Sequence, residues 1–191
     1  MLLLGVVQEQ AISVAPVGEV GSYDLLATEI LTTTTASITF DVSGLGSTYK
    51  HLQIRSTAKA SETANDYWAI AMRYNSDSGT NYSSHRIMGN GSTVASSANV
   101  SSTYVYGGLV TNSYGSNPFA GSVVDILDFA SSTKNKTSRS FHAVTGALFR
   151  LSLESGAWYN TNPITSITLS HSNASSFIAG SRFSIYGIKA S

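Results

Sequence analysis

Residues 49–59 read YKHLQIRSTAK, and this stretch decides the fold class. In an extended strand Leu52, Ile54, Ser56 and Ala58 share one face, while His51, Gln53, Arg55 and Thr57 share the other. One face is apolar and the other is wet. The same alternation recurs along the chain. Ile38, Phe40 and Val42 alternate with Ser37, Thr39 and Asp41, and the run closes at Gly44-Leu45-Gly46. Trp68, Ile70, Met72 and Tyr74 oppose Tyr67, Ala69, Ala71 and Arg73, and Ile167 and Leu169 oppose Thr168 and Ser170. Phe141, Ala143, Thr145, Ala147 and Phe149 alternate over a long strand, with this set toward the core. Residues 23–31 form a first extended stretch with Leu25 and Leu26 as core, and Phe183 and Ile185 belong to the last strand.

Between these runs lie turn signals at 75–81 and 89–91, a Ser-rich stretch at 92–102 that reads as a loop, and a solvated turn at 131–138 carrying Lys134 and Lys136. No apolar stripe of period 3.6 persists over three turns, so little helix is expected. Roughly eight to ten short strands at this spacing predict an all-β chain. The expected fold is an antiparallel β-sandwich of jelly-roll type over residues 23–191, preceded by a short extended arm over residues 1–22.

Composition narrows the function classes. Charged residues are 12% of the 191, and the formal net charge is zero, against a usual charged share of roughly 25%. Such a chain lacks the basic footprint that nucleic acid or an anionic membrane surface selects. Cys is absent, so disulfides and thiolate metal sites are excluded. The opening MLLLGVV is too short to span a bilayer and has no basic residue before it.

The arm has a character of its own. Leu2, Leu3, Leu4, Val6, Val7, Ile12, Val14 and Val17 are apolar, broken by Pro16, Gly18 and Gly21. Apolar side chains in that number are expected to pack on another subunit rather than stay in water.

Chemistry-bearing constellations are few. His51, His85, His142 and His171 are scattered without HExxH or i, i+4 spacing, and His51 and His142 fall out of phase with the expected core. No G-x-S-x-G elbow, P-loop or dinucleotide fingerprint occurs. Asp125 and Asp128 sit three apart, on opposite faces of a strand, and so do not form the carboxylate pair of a glycosidase. Asn75, Asp77, Gly79 and Asn81 resemble part of a calcium loop, but Arg86 stands where its closing Glu belongs, which favours a hairpin turn. Aromatic side chains, Trp158 and Tyr159 above all, offer a platform on which a sugar ring could stack. The expectation is a non-enzyme without metal or cofactor.

Three motifs carry a family resemblance. Tyr49, Leu52, Ile54 and Arg55 fit a strand of the form Y-K/D-x-L-x-I/V-R. Arg73, Tyr74, Asn75, Asp77, Gly79, Asn81 and Tyr82 fit R-F/Y-N-x-D-S/T-G-x-N-Y-S, and Tyr186, Gly187, Ile188 and Lys189 fit a closing Y-G-I-K. Over residues 23–191 the chain resembles a group of tailed-bacteriophage virion proteins, described as structural, fibre or decoration proteins. The resemblance implies a β-domain on the virion and carries over no catalytic residue. Fibre proteins place such a module after a long repetitive shaft, whereas here only about 22 residues come before it. That departure favours a capsid decoration or cement protein, a homotrimer bound to the major capsid protein or other virion proteins through its arm. The alternative is a tail-fibre or head-fibre adhesin that binds host-surface glycan through Trp158 and Tyr159.

Overall fold

The computed structural model describes residues 22–62, 67–112, 118–144 and 149–189. Within them the chain forms twelve strands and a single 3-10 turn at Leu45–Ser47. The strands are β1 (Tyr23–Ile30), β2 (Ser37–Asp41), β3 (His51–Ala58), β4 (Tyr67–Tyr74), β5 (Tyr82–Gly89) and β6 (Val94–Ser102), followed by β7 (Val105–Thr111), β8 (Ala120–Leu127), β9 (Lys136–Val144), β10 (Arg150–Trp158), β11 (Ser166–His171) and β12 (Arg182–Ile188).

Two antiparallel sheets result. The larger has the order β1-β12-β3-β8-β9-β10-β5-β6, and the smaller has the order β2-β11-β4-β7. The set β1-β12-β3-β8 pairs with β2-β11-β4-β7 as a sandwich. The chain passes from one sheet to the other between β1 and β2, β2 and β3, β3 and β4, β4 and β5, β6 and β7, β7 and β8, β10 and β11, and β11 and β12. That alternation is the wrapping of a jelly roll. Two hairpins are added to it. β5 and β6 lie in sequence between β4 and β7, and β9 and β10 lie between β8 and β11, so together they widen the larger sheet by four strands.

The core sits where the sheets face each other. Leu52 and Ile54 of β3 point inward, as their alternation predicts, and meet Ile70, Met72, Val124, Ile126, Ile167, Leu169, Phe183 and Ile185. Burying side chains of this size stabilises by about 1.5–3 kcal/mol each. Phe177, outside the strands, closes one side with its ring centroid 4.9 Å from that of Phe183.

The resembling motifs are brought together as structure. The Tyr49 hydroxyl donates to Asp24 at 2.9 Å, and Lys189 Nζ lies 2.7 Å from the same carboxylate. The Tyr49 ring covers Gly187 so closely that a Cβ there would stand 2.5 Å from ring carbons. The bond from Lys189, then that from Tyr49, holds the Asp24 carboxyl below its ordinary range. At the other motif, Asn75 and Ser76 both take the left-handed region, with φ of 53° and 57°. Asn75 Oδ1 accepts from the Thr165 and Ser166 N–H groups, tying the turn to the start of β11. Asp77 accepts from the Gly79 N–H, the Asn81 amide and the Trp158 indole, each at 2.8 Å. The 75–81 segment is a turn, but not the expected hairpin: it carries the chain from β4 in the smaller sheet to β5 in the larger, and its polar side chains are engaged with the protein itself.

Four other expectations need correction. Leu25 is exposed and Leu26 only half-buried, because β1 is an edge strand with a bulge between Leu25 and Ala27. Residues 94–102 form β6, paired along β5, where a Ser-rich loop was expected. Lys136 is buried at the start of β9, with its ammonium donating to the Lys134 and Thr161 carbonyls. Finally, β9 runs in the opposite phase to the one its apolar residues suggest. Ser140, His142 and Val144 point inward while Phe141 faces out, and Phe149 is exposed ahead of the antiparallel β10. Thr145 and Ala147 lie outside the described residues, as do all the arm positions Leu2, Leu3, Leu4, Val6, Val7, Ile12, Val14 and Val17.

Candidate interaction face

The reversed phase of β9 builds the most distinctive surface of the molecule. On the outer side of the larger sheet, Val123 of β8 lies opposite Phe141 of β9, Phe141 opposite Leu153 of β10, and Leu153 opposite Ile87 of β5. Cross-strand partners stand about 5 Å apart, so these four side chains form a continuous apolar ladder across four strands. They are 37%, 45%, 54% and 50% exposed in that order. Covering such half-exposed side chains would contribute about 1 kcal/mol each.

The next row along the strands is Gly121, Ala143, Leu151 and Gly89. A Cβ placed on Gly121 would meet nothing within 4 Å, so the floor beside the ladder is open. The ladder and the row on its opposite side, Asp125, Arg139, Ser155 and His85, line a shallow groove of about 490 Å³. That row is polar. Asp125 accepts from Arg139 Nε at 2.9 Å and from the Gln53 amide at 2.8 Å, and His85 stands exposed farther along the same row. Arg55 lies at the β3 end with its guanidinium 4.8 Å over the Tyr186 ring. An apolar centre with a polar rim is the anatomy of a protein interface.

The inner side of the same strands is polar. Ser138, Ser140 and His142 of β9 and Ser152 and Glu154 of β10 are buried. His142 Nε2 lies 3.3 Å from Glu154 Oε1, and the Arg86 guanidinium sits 5.5 Å over the Tyr106 ring nearby in the fold. The smaller sheet ends at β7, which packs on β8 and β9 and more sparsely on β10 and β5. The inner positions in the middle of β9 and β10 are thus buried, and they are polar, while Phe141, Leu153 and Ile87 lie on the outer side.

Edge strand β6 continues the face. All but the last of its residues are exposed, and VASSANVSS has no charge and no Pro to blunt an unpaired edge.

The other residues singled out by sequence are dispersed. Trp158 is 1% exposed, stacked with Tyr82 at 6.2 Å and tilted against Tyr74 at 5.6 Å. A sugar ring has no access to it, because strand alternation at the end of β10 turns it into the core. Tyr159, the next residue, is exposed and its hydroxyl bonds Ser83 at 2.9 Å. His51 accepts the Asp128 N–H at 2.9 Å and is half-buried, while His142 is fully buried rather than on the polar face. His171 is buried 3.8 Å from Glu62, and desolvation pushes its pKa down. Asp125 is paired with Arg139 in mid-strand. Asp128, at a turn with φ of 47°, is held below the ordinary carboxylate range chiefly by its hydrogen bond from Lys134. Among the described residues no three His, Asp or Glu side chains are placed to hold a metal ion.

The ladder escaped sequence reading for a clear reason. Phe141, Leu153 and Ile87 look like core residues, and alternation gives the two faces of a strand without saying which one is covered. No protein-family model, curated protein or solved structure matches the chain, so the site rests on its own geometry and on the sequence resemblance.

Proposed function

We propose that this chain is a bacteriophage virion structural protein, a decoration or cement module that attaches to its neighbours through the outer face of the widened sheet and its apolar arm. The observation that carries the reading is the inverted pattern of β9 and β10, with Phe141 and Leu153 outside and Ser140, His142, Ser152 and Glu154 inside. A row of large apolar side chains kept in water is a liability unless another surface covers it. The resemblance supplies the context: its motif residues Asp77, Tyr49, Gly187 and Lys189 serve the fold, as expected of a structural module. Near-zero net charge also suits a protein that works packed among other subunits. The glycan-adhesin reading loses support because Trp158 is buried, leaving Tyr159 alone.

The test is addition to phage heads assembled without this protein. The full chain, a chain lacking residues 1–21, and the double variant Phe141→Ser/Leu153→Ser are each co-sedimented with the heads. The expected result is binding by the full chain and at least a roughly tenfold loss in both variants, equivalent to about 1.4 kcal/mol. Undiminished binding by both variants, or no binding by the full chain, overturns the reading.

A further inference from the structure

We infer that the groove over Val123, Phe141, Leu153 and Ile87 receives residues 2–7 of a neighbouring copy of this chain. The inference deepens the proposed function and rests on its reading of the outer face as a covered surface. Residues 2–7 read LLLGVV, an uncharged apolar stretch that matches the four apolar side chains of the ladder. In an extended segment Leu2, Leu4 and Val6 would share one face. Six extended residues span about 20 Å, and the three strand spacings from β8 to β5 cover about 14 Å, so the segment is long enough to cross the ladder. The open position at Gly121 leaves room for a leucine side chain beside it.

The direction of the chain favours a neighbouring copy. Ser22 accepts the Lys189 N–H, and Tyr23 pairs with Ile188, which in turn pairs with His51. From there β1 runs toward the level of Thr28, Ser184, Arg55 and Val123, where the ladder begins. Ser22 therefore stands at the end of the sheet away from the ladder. To reach its own groove the arm would have to reverse, whereas a neighbour beyond that end can be met directly. Residues 8–22 could bridge roughly 50 Å when extended. Each copy has one arm and one groove, so head-to-tail exchange can close a ring of copies.

The absence of Cys permits a direct test with purified full-length protein and no phage particles. Leu4→Cys in one preparation is mixed under oxidising conditions with mass-tagged Leu153→Cys, and in parallel with mass-tagged Thr39→Cys on the smaller sheet. Leu153 and Thr39 are both exposed, so the substitutions leave the core intact. The expected result is a mixed disulfide between Leu4→Cys and Leu153→Cys chains in at least about tenfold excess over the Thr39→Cys control. Equal yields, or no mixed disulfide, overturn the inference. A Leu4→Cys/Leu153→Cys double variant that closes only within single chains overturns the assignment to a neighbour. Mixed disulfides together with failure to add to phage heads would sink the virion reading while leaving this contact standing.

Discussion

At the residue scale, Asp77 organises more of the molecule than its place in an exposed turn suggests. One carboxylate gathers the Gly79 N–H, the Asn81 amide and the buried Trp158 indole. The hydrogen bond from Asn81, followed by that from the Gly79 N–H, holds its pKa down. The indole bond fixes Trp158 against Tyr82 and Tyr74, and burial pushes the Tyr82 phenol up to about 12. Asp77→Ala would leave the indole N–H buried without its acceptor, which costs on the order of 2–3 kcal/mol. Urea unfolding followed by tryptophan fluorescence should show a lower midpoint at unchanged slope. A midpoint equal to that of the parent chain would show that the turn is held by its other bonds.

At the scale of the element, the β9–β10 hairpin inverts the usual placement of polar and apolar side chains, and the stability of variants should follow the inversion. Leu153→Ser and Phe141→Ser remove side chains already half in water, so each is expected to change unfolding free energy by less than about 1 kcal/mol. Ile126→Ala on the neighbouring β8, fully buried, should cost about 2–5 kcal/mol through lost transfer energy and a residual cavity. Chemical denaturation of the three variants separates these cases. A Leu153→Ser cost as large as that of Ile126→Ala would mean that the ladder serves the fold of the single chain.

At the scale of the whole molecule, stability should depend on pH in two windows. His171 is buried, so its charged form is disfavoured and its pKa lies below the ordinary 6.5, opposed only by the nearby Glu62. The unfolded chain therefore takes up a proton first as pH falls past 6.5, and stability drops from there toward the folded pKa. His171→Gln should lose less stability than the parent between pH 7.5 and 5.5, measured by urea midpoints. Equal losses would remove His171 as the cause. Asp24, Asp77 and Asp128 have folded pKa values below their ordinary 3.8, so their stabilisation is present above 3.8 and is lost as pH falls through the folded values.

Alternation along residues 49–59 and its repeats determined the all-β class, most strand positions and the inward set of β3, because a period of two is a local property of extended backbone. The turn at 75–81 was legible for the same reason: Asn, Asp and Gly act on their own neighbourhood. Only the tertiary structure decided which side of β9 and β10 is covered. Phe141 and Leu153 carry the same local signal as Leu52 and Ile54, but Ser140, His142, Ser152 and Glu154 take the buried inner positions of their strands and leave them outside. β6 was equally hidden, since its small residues bury nothing and backbone pairing to β5 alone makes it a strand. Sequence assigns the two faces of a strand, and only the packing of the whole chain assigns which of them is buried.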